Sequence, residues 1–396
     1  MSFARIFHIG ASIGADIDVI EGSAKFKATK NIDDLGIKVI SPDVVEFRLS
    51  KPSALFLIQL AVTDCAILPL KKFDDVLDST AKGKFSGPYK ITKTFDETGL
   101  TIEKWRADAL DSKNPPKTVS YIVSDKSPVL LAMDGITDTL DHDKVTEAEK
   151  NELQKKGWAA TATELTGEAF VILNPNLISK DLRAYLYSVF DPIEFVQSLG
   201  SKTLTPAYGL IPKGLRGELE QSQVAEIKNK KSYVGPMVTI KLEYEQTSEI
   251  EQKIVDFLKT KWLHPKINLK IVPLSKSEKL TRMFQKKSQA VIGRKSIDYP
   301  DGYSVLTYFK GNYESNYFQV SDPEIDKALL DVVQIFEPKQ RENGYREIQK
   351  KILRHYTIVP LFFGSEASGL WSEKVLSVPS HSMGYHTLPI ESIEMR

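Results

Sequence analysis

The chain has 396 residues, too many for one ordinary hydrophobic core, so two or three domains are expected. Its 53 Lys and Arg against 52 Asp and Glu leave a formal net charge of +1, which offers no electrostatic handle for nucleic acid or an anionic membrane. One cysteine, Cys65, excludes an intramolecular disulfide and any CxxC metal or redox motif.

The opening MSFARIFHIGASIGADIDV carries one early positive charge, early acids and no sustained apolar run, so it does not read as a signal peptide. The expectation is a cytoplasmic chain, or one whose export signal lies outside this sequence. Leu55–Leu70 is the most apolar stretch, but Gln59, Thr63 and Asp64 interrupt it. It is too short and too polar to span a bilayer, so no direct membrane insertion is expected.

In GIKVISPDVVEFRLS (36–50), Val45, Phe47 and Leu49 alternate with Val44, Glu46 and Arg48 around a Ser41-Pro42-Asp43 turn, which predicts a hairpin. GPYKITKTF-DETG-LTIEKW predicts a second. Ala169–Leu173 reads as a short buried strand. Residues 179–190 read as a helix capped by Ser179, with Leu182, Tyr185, Leu186, Val189 and Phe190 on one face. The Gly/Pro-rich stretch 205–217 reads as a surface loop.

From residue 238 the pattern alternates strand and helix. Val238, Ile240, Leu242 and Tyr244 predict a strand; Ile250, Ile254, Leu258 and Trp262 a helix; Ile267, Leu269 and Ile271 a second strand, together one βαβ unit. A helix capped by Ser275 and Glu278 should bury Leu280, Met283 and Phe284, ahead of a strand at Ala290–Ile292. Ser321 and Glu324 suggest another capping box, before a helix burying Ile325, Leu329, Val332, Val333 and Phe336. A helix from Pro338 carries Tyr345, Ile348, Ile352 and Leu353, and the strand Ile358–Phe363 follows.

Enzyme signatures are missing. There is no GxGxxG, Walker A or GxSxG pattern: Gly83-Lys84 is followed by Phe85, and 364–369 has the wrong spacing. The six histidines are scattered, with His381 and His386 nearest each other and no HExxH. No catalytic residue, metal or cofactor is expected.

Several segments in order resemble the bacterial extracellular solute-binding proteins of the oligopeptide- and dipeptide-binding family. GIKVISPDVVEFRLSKPSALFL is similar to a family hairpin, GPYKITK to its GPY turn and strand, and AFVILNPN with DLRAYLYSVFDPIEFV to a strand and helix. TPAYGLIPKGL, DYPDGYSVLTYF with NYFQVSDPEIDKALLD, and YREIQKKILRHYTIVPLFF continue the series over residues 36–363.

The resemblance implies an α/β, two-lobed periplasmic-binding-protein-like fold (class II) with mixed sheets and an incomplete first lobe. Residues 1–80 resemble a remnant of a small extra domain, 81–174 part of the first lobe, 175–365 the second lobe, and 366–396 a return to the first. It implies a non-enzymatic monomer that captures a peptide or other small solute between its lobes and delivers it to an ABC transporter permease. Such a protein would be periplasmic. The alternatives are a cytoplasmic ligand-sensing domain of a regulator and a degenerate non-binding scaffold.

By the same resemblance, Asp298 stands where family members commonly pair with a peptide's ammonium, Tyr299 beside it, and Lys295 where it could neutralise Asp298 or serve an acidic ligand. Tyr303 is a further candidate for the cleft wall. Arg183, Asn316 and Tyr317 match positions read as structural. Arg294-Lys295 replaces a Gly-Trp usual in the family, and Gly302 replaces a second proline.

Overall fold

The computed structural model describes residues 1–74, 86–106, 112–141, 145–201, 204–311, 313, 315–378 and 390–396. The chain forms two compact units, 1–67 with 166–364 and 68–165 with 365–396. Residues 1–67, read as part of a small extra domain, thus share a unit with most of the segment read as the second lobe. The expected boundary at 80/81 lies outside the described residues, as do His381, His386 and Gly83-Lys84.

The first unit is built on a mixed sheet with strands in the order Ile267–Leu274, Val238–Glu245, Ala290–Ser296, Ala159–Leu173, Ile358–Trp371. The first three run parallel, and Ala290–Ser296 is antiparallel to Ala159–Leu173. The alternation at 238–244 puts Ile240 and Leu242 in the core, fully buried. Between the first two parallel strands, the helix Glu249–Lys261 is capped by the Ser248 hydroxyl, which accepts from the Glu251 N–H at 3.4 Å. It buries Ile254, Val255 and Leu258, and the Trp262 indole beyond it donates to the Leu186 carbonyl at 3.1 Å. The hairpin Ile37–Ser41 and Val44–Phe47 pairs antiparallel. Its base joins the core through Phe47, which packs edge-on against Phe3 and Phe56.

Several expectations are corrected here. The stretch 205–217 is no surface loop: Ala207, Leu210 and Ile211 are buried, and Thr205–Pro206 pairs with Ile358–Trp371. The cause is Gln349, whose Oε1 accepts from the N–H groups of Leu210 (2.8 Å) and Ile211 (3.1 Å) while its Nε2 donates to the Gly217 carbonyl (2.6 Å). A buried irregular segment needs such a partner for its backbone groups. Phe284 and Phe336 are 56% and 63% exposed, not core. The helix Pro323–Val332 is capped by Asp322, not Ser321: the Asp322 carboxylate accepts from the Glu324 N–H at 2.9 Å, with Pro323 next to it at the first helical position. The strands at 169, 290 and 358 run longer than the apolar runs that announced them, to Ala159–Leu173, Ala290–Ser296 and Ile358–Trp371.

Charge is also buried in this unit. Lys279, 4% exposed, binds the Glu251 carboxylate and lies 3.7 Å from that of Glu245. Glu243 accepts from Arg282 at 2.5 Å and Ser288 at 2.5 Å.

The second unit contains a three-stranded antiparallel sheet of Tyr89–Asp96, Gly99–Lys104 and Thr118–Ile122. Gly99 is obligatory there: at φ +128°, a Cβ would stand 1.8 Å from the Tyr121 carbonyl oxygen. The helices Pro128–Met133 and Glu147–Lys155 close a small core of Val129, Ala132, Leu140, Val145, Leu153, Trp158 and Leu370. Among the described residues no helix is long and apolar enough to cross a membrane.

Candidate functional site

In the first unit the parallel strands share one carboxyl end, and Ala290–Ser296 leads there into Ile297-Asp298-Tyr299-Pro300-Asp301-Gly302. Ligands of open α/β sheets collect outside such strand ends. Two aspartates in this segment divide the work. Asp301 is buried and shapes the turn, accepting from its own Tyr303 N–H at 2.9 Å and from the Tyr345 hydroxyl at 2.7 Å. Gly302 is required because a Cβ would meet the Arg216 carbonyl and Ile211 at 2.6 Å each, so a proline has no room there. The turn therefore needs Asp301 and Gly302, and leaves Asp298 free for another role.

Asp298 keeps 46% of its side chain exposed. Its carboxylate accepts from the Tyr308 hydroxyl at 3.1 Å and lies 3.7 Å from the Lys295 ammonium. That ammonium also donates to the Ser304 carbonyl at 3.3 Å and stacks on the Tyr308 ring. Lys295 is register partner to Glu168 across the strand pair, and Glu168 is only 6% exposed. Side chains alternate along a strand, so Glu168 shares a face with Phe170, which packs against Phe318. Asp16, after the short turn Ser12–Ala15, accepts from the Thr307 hydroxyl at 3.1 Å. Asp18 lies 3.9 Å from Lys310.

This crowding sets the protonation. Burial, reinforced by the Asp298 and Asp18 charges, pushes Asp16 up to about 7. Burial lifts Glu168 to about 8 against the opposing pull of Lys295. Burial also lowers Lys295 to about 8, although Asp298, Glu168 and Asp16 all favour its charge. The hydroxyls of Tyr308, Tyr313 and Tyr317 are pushed up by desolvation and nearby carboxylates, so they stay protonated donors. The arrangement is an acid-rich, tyrosine-walled surface with Asp298 and Asp18 as exposed carboxylates.

Of the three residues singled out from the sequence, Lys295 and Asp298 come together. Tyr299 does not join them: it is 2% exposed, and its hydroxyl accepts from Gln59 at 3.3 Å. Tyr303 is also buried. Arg183 holds backbone, donating to the His355 carbonyl at 3.1 Å and the Ile178 carbonyl at 2.5 Å. Asn316 donates to the Val320 carbonyl at 2.7 Å. Sequence reasoning missed Asp16, Glu168, Tyr308 and Tyr313. Glu168 had a signal, since extending the strand at Ala169 back by one residue puts it on the face of Phe170. Asp16 had none, because its partner Thr307 is remote in the chain.

The comparison with known families decides the affiliation. Residues 12–317 match the family model described as "Bacterial extracellular solute-binding proteins, family 5 Middle". The chain belongs to this family. Family 5 proteins of known structure share its two-lobed α/β fold. The Escherichia coli murein tripeptide binding protein MppA matches with TM-score 0.73 at 15% identity, covering 100% of this chain and 82% of that one. Haemophilus influenzae OppA, in complex with RPPGFSPFR, gives 0.74 at 16%, covering 100% and 82%. The substrate-binding domain of an oligopeptide ABC transporter from Bacillus anthracis gives 0.71 at 19%, with the same coverage. No curated protein sequence matches. At these identities the structural likeness speaks for the fold alone. The family 5 affiliation makes this a binding-protein chain, and among the described residues no group of three or more His, Cys, Asp or Glu is placed to hold a metal.

Proposed function

We propose that this family 5 chain captures a short peptide or a similar small solute outside the inner membrane and, as a monomer, hands it to the permease of an ABC importer. Asp298 receives the solute's ammonium. The observation that carries this reading is the division of labour in the turn: Asp301 meets the structural demand, while Asp298 stays half-exposed at the sheet's carboxyl end with Tyr308 and a 3.7 Å lysine as its partners among the described residues. A carboxylate so placed makes a charge-assisted hydrogen bond to an entering ammonium. Lys295 is the internal competitor for the same oxygen, and the Tyr308 hydroxyl keeps the carboxylate oriented.

Titration calorimetry with a free-amine tripeptide and its N-acetylated twin tests the reading. Asp298→Ala should cost the free-amine ligand roughly tenfold or more, the scale of one charged hydrogen bond, and leave the acetylated ligand unchanged. Equal losses for both ligands would remove Asp298 from this role.

A further inference from the structure

The first unit also contains a cavity of about 590 Å³ that adjoins the Asp298 cluster, sharing Tyr313 and Tyr317 with it but not Asp298, Lys295 or Tyr308. One wall is small and smooth: Gly10, Ala11, Gly14 and Ala15, continuing from the helix Ser2–Ile9. The facing wall is aromatic, with Phe284, Tyr313 and Tyr317. Ile6, Phe7, Lys27 and Ser315 complete it. The volume falls in the ~300–1,000 Å³ range of small-molecule sites.

Three observations define what fits. Phe284 leaves 56% of its surface open although its helix neighbour Met283 is buried. Gly10 has nothing within 4 Å of where a Cβ would stand, so the small wall faces open space. Lys27 is the charged residue of the lining, and no carboxylate accompanies it. Lys27 is exposed, and its ammonium stands 5.4 Å from the Phe7 ring centroid with no ion pair among the described residues. A flat apolar group suits the two walls, and an anion suits an unpaired ammonium at their edge.

We propose that this cavity binds an aromatic carboxylate, its ring between the Ala11 wall and Phe284 and its carboxylate on Lys27. The proposal does not rest on the Asp298 reading: the two sites share the Tyr313 and Tyr317 wall, but the charge that receives the ligand here is Lys27 and is opposite in sign.

N-acetyl-L-phenylalanine and its C-terminal amide serve as probes, with the whole chain in calorimetry or ligand-observed NMR. The acid should bind and the amide should bind roughly tenfold more weakly. Lys27→Met, at an exposed position that leaves the core untouched, should erase that preference. Ala11→Trp should abolish binding of both probes with the unfolding midpoint unchanged. Asp298→Ala removes a negative charge near the shared tyrosines and should not weaken binding of the acid, which separates failure here from failure of the ammonium reading. Equal affinity for acid and amide in the unaltered chain, or an acid preference that survives Lys27→Met, would overturn the proposal. So would a complete lack of binding by the acid.

Discussion

Glu168 and Lys295 stand opposite each other as register partners in adjacent antiparallel strands, yet close no ion pair. Lys295 turns its ammonium toward Asp298, the Ser304 carbonyl and the Tyr308 ring. Glu168 is left buried with a carboxyl that holds its proton to about pH 8.

The pH dependence follows from three groups. Glu168 rises on folding from 4.5 to about 8 and Asp16 from 3.8 to about 7, so the folded state binds more protons than the unfolded one over those intervals. Stability from these groups is full below the lower values and is lost as pH rises through the upper ones. Lys295 falls from 10.5 to about 8, so it acts in the other sense above that pH. Urea midpoints should decline from pH 5 to a minimum near pH 8. Glu168→Gln should flatten that decline and stabilise the protein at pH 8, because the amide has no proton to lose over that interval. An unchanged slope in Glu168→Gln would refute this account.

Lys279 and Glu251 form a pair that is nearly inaccessible to water, at 5% and 2% side-chain exposure. Lys279→Met strands Glu251 in the core and should cost about 3–5 kcal/mol. The double variant Lys279→Met/Glu251→Leu should recover most of that loss. A denaturant double-mutant cycle reads both numbers.

Gln349 holds three backbone groups of the buried 205–217 segment. Gln349→Leu keeps similar bulk but leaves them unsatisfied, at about 1–3 kcal/mol each. Hydrogen exchange should accelerate at Leu210 and Ile211, whose N–H groups lose their acceptor, before any change appears in the strand Val238–Glu245.

Gly293 lies beneath the Phe170 ring, where a Cβ would stand 2.3 Å from the ring edge. Gly293→Ala should destabilise by about 1–3 kcal/mol through overpacking. It should also displace Phe170 and weaken solute binding, because Gly293 is two residues before Lys295. Thermal unfolding and calorimetry together check this; full stability in the variant would contradict the packing.

Much of the architecture was readable because its signals are local. Alternation marked Val238–Glu245 and Ile267–Leu274, and Ser179 and Ser275 cap their helices where expected. The failures are also physical. Gly and Pro at 205–217 announce irregular backbone, but not whether a remote Gln349 will bury it. Phe284 has the right helical spacing for the core, yet faces a cavity created by residues from the other end of the sequence. At the site, Asp298 and Lys295 were found because they are neighbours in the chain. Asp16 was not, because an approach across 291 positions to Thr307 leaves no mark in local composition, and Glu168 was passed over because the apolar run that announced its strand begins one residue later.

The first unit is stitched from two stretches of chain, 1–67 and 166–364, and the strands Ala159–Leu173 and Ile358–Trp371 straddle its borders. During synthesis the opening residues emerge long before their partners: the Ala54 N–H waits for the Val333 carbonyl, which it meets at 2.8 Å. Phe7 and Phe26 meet each other within the first stretch, but contacts as distant as Ala54 to Val333 slow folding. The opening stretch therefore cannot finish its unit until the chain has been made past residue 333.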